Sequence, residues 1–408
     1  MKQRYQVFFM LVLLFKTSFI YPQTANSLYE GGISKFKQND LAGAIAEFTK
    51  CIVKNEIFYD AYIGRGECYA AQKKYNEALK DFSKALEIYP NYYPAFLKRA
   101  DTYVLAGDNK KALADYAKAI ELKKDKEDAY LCRAKLYQKN DDLKLALIDL
   151  TTALEINSKN PDVFFQRGLI YELQKKDKEA IGDFSKAISL NPAFAEAYYR
   201  RGLLYEKLSN YQAAAQDYKK ASDLNIRNKE LFIHKAQATF YSGLWDEAIK
   251  DYSELFGTYA VKDPGSYYNR GICYYKSGKL TEALKDFSKT AQLNTKNDSA
   301  YVWIAQIYTE QKNMKSAQVY YNKAISVNPG NYKAYAGRAK ICSDQKKYEQ
   351  AIQDWNIALK SIPDPEWYFE RALCKEAIKD KKGWCDDLKS ASDLGLKKAT
   401  PIYDSYCK

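Results

Sequence analysis

Residues 59–92 read YDAYIGRGECYAAQKKYNEALKDFSKALEIYPNY, and the pattern of this stretch recurs along the chain. Its most regular feature is an alanine that returns every 34 residues, with a single step of 35. The members of this column are Ala44, Ala78, Ala112, Ala146, Ala180, Ala214, Ala248, Ala283, Ala317 and Ala351. A fixed period of this length indicates stacked supersecondary units rather than one central globular core.

Other columns keep the same register, and residues 59–92 illustrate them. A small residue (Gly66) precedes the alanine by twelve positions, a tyrosine (Tyr69) follows three positions after that, and a large apolar residue (Phe82) lies four positions past the alanine. A second alanine (Ala85) and a proline (Pro90) close the block. Spacings of three and four predict two amphipathic helices per block, with small residues where the helices approach and a proline where the second helix ends.

The order small–Tyr–Ala–aromatic–Ala–Pro resembles the tetratricopeptide repeat (TPR) family, and the resemblance covers residues 25–398. It implies an all-α fold, a right-handed α-solenoid of about eleven helix-turn-helix units. We expect a signal peptide at residues 1–24, the TPR array at 25–398 and a carboxy-terminal cap at 399–408. The columns place the unit starts near Ala25, Tyr59, Tyr93, Glu127, Pro161, Ala195, Lys229, Pro264, Asp298, Tyr332 and Pro365.

A second pattern pairs a basic residue before the small site with an aspartate sixteen residues later. The arginine pairs are Arg65 and Asp81, Arg99 and Asp115, Arg133 and Asp149, Arg167 and Asp183, Arg201 and Asp217, Arg270 and Asp286, Arg338 and Asp354, and Arg371 and Asp387. The seventh unit has Lys235 and Asp251, whereas the ninth unit loses both partners together and has Ile304 and Tyr320. Joint loss predicts a structural ion pair between the two helices of a unit; the alternative is a charged ladder that binds a ligand.

The TPR resemblance also implies a concave groove lined by the first helix of each unit. The aromatic and aliphatic positions that the packing columns leave free there in units five to eight are Phe165, Leu169, Tyr199, Leu203, Ile233, Phe240, Tyr268 and Tyr275, with the polar residues Glu172, Gln237 and Glu206 among them. Exposed aromatic and aliphatic side chains make good interface anchors, so we expect a peptide or a partner helix to bind them. The alternative is that some of these side chains pack against the neighbouring unit. The Lys, Asn and Arg set with which some TPR proteins grip chaperone tails is absent.

The sequence carries no pattern typical of an enzyme, a cofactor site or a metal site. The single histidine, His234, has no ligand set around it, and none of the eight cysteines forms a Cys-x-x-Cys pair. The net charge of +13 is spread along the chain, with Lys-Lys pairs at expected turns, so no nucleic-acid partner is predicted. We therefore expect a non-enzymatic scaffold for a protein or peptide partner; the alternative is an accessory or regulatory subunit of an envelope enzyme or secretion complex.

The two ends of the chain predict export. Lys2 and Arg4 precede an apolar run over residues 7–15, which is typical of a secretory signal peptide, either cleaved or kept as an anchor. At the other end, Gly395 can end a helix and let a short helix fold back, which would bring Cys407 towards Cys385. This segment resembles the end of exported bacterial TPR proteins, which implies a Cys385–Cys407 disulfide. We expect the periplasm or the cell surface of a Gram-negative-type bacterium, and no membrane insertion after signal cleavage.

Overall fold

The computed structural model describes residues 24–408, which form 23 α-helices and no β-strand. The predicted signal peptide lies outside these residues apart from Thr24, whose side chain caps the first helix by accepting a hydrogen bond from the backbone N–H of Ser27. Among the described helices, none is both long enough and apolar enough to cross a membrane.

The first 22 helices form eleven antiparallel pairs, each of which is one repeat unit. The first helices of the units are α1 Ala25–Lys37, α3 Tyr59–Ala71, α5 Tyr93–Ala106, α7 Glu127–Lys139, α9 Pro161–Leu173, α11 Ala195–Lys207, α13 Lys229–Tyr241, α15 Pro264–Lys276, α17 Asp298–Glu310, α19 Tyr332–Asp344 and α21 Pro365–Ala377. These helices begin at the residues where the sequence columns place the unit starts.

The second helices end two residues before each of the four column prolines, including Pro90 and Pro192, because proline cannot continue a helix. They are α2 Leu41–Lys54, α4 Tyr75–Ile88, α6 Asn109–Leu122, α8 Leu143–Ile156, α10 Asp177–Leu190, α12 Tyr211–Asp223, α14 Trp245–Tyr259, α16 Leu280–Leu293, α18 Met314–Val327, α20 Tyr348–Ser361 and α22 Lys381–Asp393. A short helix, α23 Thr400–Tyr406, follows the last unit and packs against α22.

Each turn between the two helices of a unit contains one residue in the left-handed region. This residue is a glycine in three units, such as Gly107 at φ +84°, and a lysine in five, such as Lys73 at φ +59°. Three of the expected Lys-Lys turn pairs, Lys73-Lys74, Lys175-Lys176 and Lys346-Lys347, lie in such turns, whereas Lys110-Lys111 lies in the first turn of α6. The lysine pairs in the turns are therefore turn residues, as the spacing predicts.

The packing columns form the core. Every alanine of the 34-residue column is fully buried. In the five units whose small site is a glycine, the large residue four positions after the alanine lies against that glycine. A Cβ atom built on Gly66 would lie only 2.8 Å from Cε1 of Phe82, which explains why this crossing takes so small a residue.

The chain consists of two compact bodies, residues 24–192 and residues 193–408. The amino-terminal body contains α1–α10, and the carboxy-terminal body contains α11–α23. Within each body, the second helix of a unit packs against the first helix of the next unit, and most successive first helices also touch.

Candidate functional site

The regular arginines and aspartates meet inside the repeat units. In eight units the arginine donates one hydrogen bond from Nε and one from Nη2 to the two carboxylate oxygens of the aspartate, at 2.6–2.9 Å. For Arg133 and Asp149, the side chains are 19% and 5% exposed. The hydrogen bond to Asp149 raises the pKa of the Arg133 guanidinium above its ordinary value, and burial opposes this effect. Such bidentate, largely buried pairs fix geometry and are costly to break from one side.

Several of these arginines also reach the preceding unit. Each does so through its remaining nitrogen, Nη1. Nη1 of Arg65 donates to the hydroxyl of Thr49, and Nη1 of Arg99 donates to the hydroxyl of Ser83. Nη1 of Arg338 donates to the side-chain oxygen of Asn322. One guanidinium thus ties three helices of two neighbouring units together. This contact between units is not visible in the spacing of sixteen, and it makes the ladder internal bracing.

Three units depart from the arginine pattern. In the ninth unit, Ile304 is 1% exposed and replaces the charge with apolar packing. In the first unit, Glu47 accepts from Lys35 at 3.1 Å instead. In the seventh unit, Nζ of Lys235 lies 3.0 Å from Asp251 and 2.8 Å from Glu254.

The expected groove positions of the amino-terminal body are less open than the repeat pattern predicts. Phe165 is only 8% exposed, and its ring centroid lies 5.6 Å from that of Phe184 in the same unit. Leu169 is half-buried. The expectation of an exposed aromatic anchor at Phe165 is therefore wrong, because the ring reaches back onto the second helix of its own unit.

The groove positions of α11 and α13 in the carboxy-terminal body are also half-buried. Tyr199 and Leu203 pack against the core cluster that contains Tyr218, whereas Ile233 and Phe240 pack against the cluster of the seventh unit. The ring of Phe240 lies 6.0 Å from that of Trp245. For these four residues, packing against the repeat covers part of the apolar surface that was expected to meet a partner.

Tyr268 and Tyr275, on α15, belong to an aromatic network that extends to α17. The indole Nε1 of Trp303 donates to the hydroxyl of Tyr268 at 2.9 Å, and its ring lies 4.9 Å from that of Tyr275. The hydroxyl of Tyr275 donates to Glu310 and accepts from Gln306. The rings are therefore held in fixed orientations by polar contacts at their edges.

Beside this network lies a cavity of about 420 Å³, here called the aromatic groove. Its walls come from first helices α15, α17, α19 and α21, with one contribution from α18 and one from the turn before α19. The lining residues are Tyr268, Ser299, Val302, Trp303, Gln306, Tyr321, Asn331, Lys333 and Trp367. Its lining combines apolar and aromatic side chains with the exposed residues Ser299 and Lys333 and the half-buried amides of Gln306 and Asn331, a composition that is typical of ligand-binding clefts.

Models of tetratricopeptide repeats match seven segments, which together cover more than half of the chain. The segments are residues 59–92, 100–141, 173–209, 195–228, 264–297, 298–331 and 320–353. The chain belongs to the tetratricopeptide repeat family. No curated protein matches this sequence.

Several solved TPR structures are similar to parts of this chain. YrrB, described as a TPR protein with an unusual peptide-binding site, is 22% identical, with 45% of this chain and 95% of that chain covered and a TM-score of 0.40. MamA is 26% identical over 39% of this chain and 93% of that chain, with a TM-score of 0.36. A TPR protein from Parabacteroides merdae is 24% identical over 62% of this chain and 98% of that chain, with a TM-score of 0.37.

The aromatic groove of this TPR protein includes residues outside the predicted groove positions. Val302 occupies the same first-helix position in the ninth unit that Tyr268 occupies in the eighth, and Trp303 follows it. Extending the same register by one unit identifies Val302, whereas Trp303 occupies the position of Asn269 and lies outside that register. Trp367 has no such signal, because it lies three units away from Tyr268 in sequence and only the stacking brings the two rings to one cavity.

The cysteines of the TPR chain fall into two groups. The sulfurs of Cys385 and Cys407 lie at disulfide distance, with their Cα atoms 5.5 Å apart, because α23 folds back along α22. Of the remaining six, five are buried and Cys132 is half-buried. Burial raises the pKa of the Cys68 thiol to about 11 and that of Cys273 to about 12, so these thiols are protonated and unreactive at neutral pH.

His234 is a packing residue of the TPR array with one polar contact. Its Nδ1 lies 2.9 Å from a carboxylate oxygen of Glu206, which also accepts from the hydroxyl of Tyr218 at 2.5 Å. Burial acts to raise the pKa of Glu206, but the contacts with His234 and Tyr218 outweigh it and hold the pKa below its usual value. Within residues 24–408, no group of three or more His, Cys, Asp or Glu side chains is placed to hold a metal ion.

Proposed function

We propose that this protein is a non-enzymatic scaffold whose carboxy-terminal body binds an extended peptide segment of a partner protein in the aromatic groove. TPR proteins bind protein partners, so the fold supports the general class of function. The observation that carries the specific proposal is the cluster of three rings, Tyr268, Trp303 and Trp367, around one open cavity. Aromatic side chains at a partly open cavity are typical hot spots of recognition.

The edge of the groove favours a particular peptide chemistry. Lys333 lines the groove and is exposed, whereas the side chain of Asn331 already bonds to Asp298 and to the backbone N–H of Ala334, and Nε2 of Gln306 already donates to Tyr275. Ser299, also at the edge, is small and exposed, which leaves room for a side chain to enter. We therefore expect a partner segment with an apolar or aromatic anchor residue followed by a carboxylate that pairs with Lys333.

A blocking substitution tests this proposal without removing a core residue. Peptides that bind the full chain are first selected from a random library. Their affinities for the wild type and for Ser299→Trp are then measured by fluorescence anisotropy. The new indole would occupy the groove entrance from an exposed position, so we expect the affinity to fall at least about tenfold, or 1.4 kcal/mol. Lys333→Glu should weaken the binding of acidic peptides and leave the binding of neutral peptides little changed.

The matched control is Ser189→Trp, which places the same indole at an exposed serine of the second helix α10. It should leave peptide binding unchanged. Failure of the library to yield any enriched sequence, or equal affinity of the selected peptides for wild type and Ser299→Trp, would contradict the assignment of the aromatic groove.

We also propose that the protein is exported, to the periplasm or the cell surface. The charged start and apolar run of residues 1–25 support this proposal, as does the placement of Cys385 beside Cys407, since disulfides persist in oxidising compartments. Amino-terminal mass analysis of the protein from fractionated cells tests it. A mature chain that begins near residue 25 in the envelope fraction is expected, whereas an intact Met1 in the cytosolic fraction would refute it.

A further inference from the structure

The tenth unit, α19 and α20, departs from the repeat at a position beside its ion pair. It has Cys342 where seven units have the column tyrosine. In four of those seven units, the guanidinium carbon of the arginine lies 5.5–5.8 Å from the ring centroid of that tyrosine, so the ring fills the space beside the ion pair. In the tenth unit, a cavity of about 320 Å³ lies beside Arg338 and Cys342. The smaller side chain thus leaves room that a ring occupies elsewhere.

Four amide side chains line this cavity, which is here called the amide cavity. Gln318 and Asn322 come from α18, and Gln350 and Gln353 come from α20. Gln318 is the most unusual of the four, because the equivalent residue in each of the other nine units among the first ten is Ile, Leu or Ala. A polar side chain at a half-buried position that is otherwise aliphatic costs stability unless it finds a hydrogen-bond partner.

The glutamines of the amide cavity have hydrogen-bonding capacity to spare. Oδ1 of Asn322 accepts from Nη1 of Arg338 at 2.8 Å, whereas the three glutamine side chains make no hydrogen bond to another group within residues 24–408. Each glutamine offers an N–H₂ group that donates and a carbonyl oxygen that accepts. The cavity therefore presents donors and acceptors side by side from two helices.

The charges that line the amide cavity neutralise each other. Its two charged side chains, Arg338 and Asp354, are 25% and 8% exposed and are joined by two hydrogen bonds of 2.7 Å. The third donor of the guanidinium is the one that binds Asn322. An ionic ligand would find no counter-charge among these lining residues.

The seventh unit shows that this chemistry is not a general consequence of the missing ring. Thr239 replaces the column tyrosine there, and a cavity of about 540 Å³ lies at the equivalent place, here called the seventh-unit cavity. Its residues Lys219, Glu247 and Lys250 occupy the positions that carry Asn and Gln in the amide cavity. The two cavities share a place in the repeat and differ in chemistry, which makes the seventh-unit cavity a natural control.

We propose that the amide cavity binds a small neutral polyhydroxyl ligand, namely a single sugar ring. A hydroxyl group both donates and accepts, as a side-chain amide does, so the hydroxyls of one ring can pair with several amides at once. An apolar ligand would leave these amides without partners, and an ionic ligand would lose hydration without gaining a counter-ion. The volume lies at the lower end of the range of small-molecule sites, roughly 300–1,000 Å³, which suits one ring better than an oligosaccharide.

This binding is separate from the peptide binding proposed for the aromatic groove. The amide cavity is lined by α18, α19 and α20, and it shares no lining residue with the aromatic groove. Failure of either proposal therefore leaves the other standing.

Ligand-observed NMR titration of the full chain tests the chemical class. D-Glucose, D-galactose and D-mannose are compared with their uronates, which carry a carboxylate, and with their 2-amino derivatives, which carry an ammonium group. We expect at least one neutral sugar to bind saturably and about tenfold more tightly than both of its charged relatives, equivalent to 1.4 kcal/mol. No saturable binding of any of the three neutral sugars at millimolar concentration, or equal binding of the charged relatives, overturns the proposal.

A substitution that restores the repeat residue locates the site. Gln318→Leu introduces the leucine of units two, three, four and eight, so it keeps the packing and removes one amide. We expect it to weaken sugar binding about tenfold or more. The matched control is Gln216→Leu, which removes an exposed amide from the seventh-unit cavity and should leave sugar binding unchanged.

A second pair of variants tests the cavity itself. Cys342→Tyr refills the amide cavity with the residue of seven other units and should abolish sugar binding, whereas Thr239→Tyr fills the seventh-unit cavity and should not change it. Gln318→Leu remains decisive if Cys342→Tyr lowers stability. Wild-type affinity in both Gln318→Leu and Cys342→Tyr would refute the assignment of the amide cavity.

Discussion

Exchanging the ion pair of the fourth unit for the apolar pair of the ninth unit gives a sharp test of the bracing role. The perturbation is the double substitution Arg133→Ile and Asp149→Tyr, together with each single substitution. The ninth unit carries the two new residues naturally, as Ile304 and Tyr320. The chain therefore supplies its own precedent for the double variant.

The fourth unit is a suitable host for the new tyrosine. In the ninth unit, the ring of Tyr320 lies 6.4 Å from that of Tyr301 and 5.7 Å from that of Tyr308. The fourth unit has tyrosines at the two equivalent positions, Tyr130 and Tyr137. A tyrosine at position 149 would find the same neighbours.

The magnitude follows from the burial of the pair. Each single substitution leaves one charge without its partner, and the Asp149 side chain is only 5% exposed. Breaking a buried pair from one side costs about 3–5 kcal/mol, and we expect about 2–4 kcal/mol here because Arg133 is one-fifth exposed. The double variant should be within about 1 kcal/mol of the wild type, since a well-packed apolar pair replaces a buried ion pair at little cost.

Hydrogen exchange at the amides of α7 and α8 is the appropriate assay, because repeat arrays open locally and need not unfold in one step. The control makes the equivalent substitutions, to Ile and Tyr, at the exposed pair Lys118 and Glu121, whose side chains are 44% and 66% exposed. These substitutions should change local stability by less than about 0.5 kcal/mol. The reasoning is refuted if either single variant is as stable as the wild type, or if the double variant loses the sum of the two single losses.

Three further predictions concern other parts of the chain. Cys407→Ser should lower the stability of the α22–α23 cap by about 3 kcal/mol, since the proposed disulfide closes a separation of 22 residues; free thiols at Cys385 and Cys407 in the purified exported protein would contradict it. Gly271→Val should cost about 2 kcal/mol or more in urea unfolding, because even a Cβ there lies 2.8 Å from Phe287, whereas Gly257→Val meets no such neighbour. Burial raises the pKa of Asp251, so ionisation of this carboxyl disfavours the native state. The wild type should therefore gain stability relative to Asp251→Asn as the pH falls from 7 towards the pKa of aspartate in the unfolded chain, about 4, and parallel pH profiles of stability would rule this out.

Much of the repeat can be predicted from the sequence because its determinants are local. Helix periodicity, the alanine and proline columns and the spacing between Arg133 and Asp149 are all contained within one unit of 34 residues. The turn residue of a unit, such as Lys73, is equally local, because a left-handed residue between two helices satisfies the backbone at the end of the first one.

The exposure of the groove positions cannot be predicted in this way. Phe165 and Tyr268 occupy the same position in their units, yet Phe165 is buried and Tyr268 lines a cavity. The difference depends on which side chains the surrounding helices present, and that is a property of stacking. The expectation of an open aromatic surface at units five to eight was wrong at Phe165 for this reason.

The sequence by itself determined a TPR array of helical hairpins, since amphipathic spacing and small crossing residues leave a chain of this pattern few other ways to bury its apolar faces. The tertiary structure decided which faces remain open. It gathers Tyr268, Trp303 and Trp367 from three units around one groove, and it leaves a charged cavity where Thr239 replaces a ring. The physical reason is that local periodicity fixes contacts within a unit, whereas a cavity depends on side chains that are distant in sequence and meet only when the units stack.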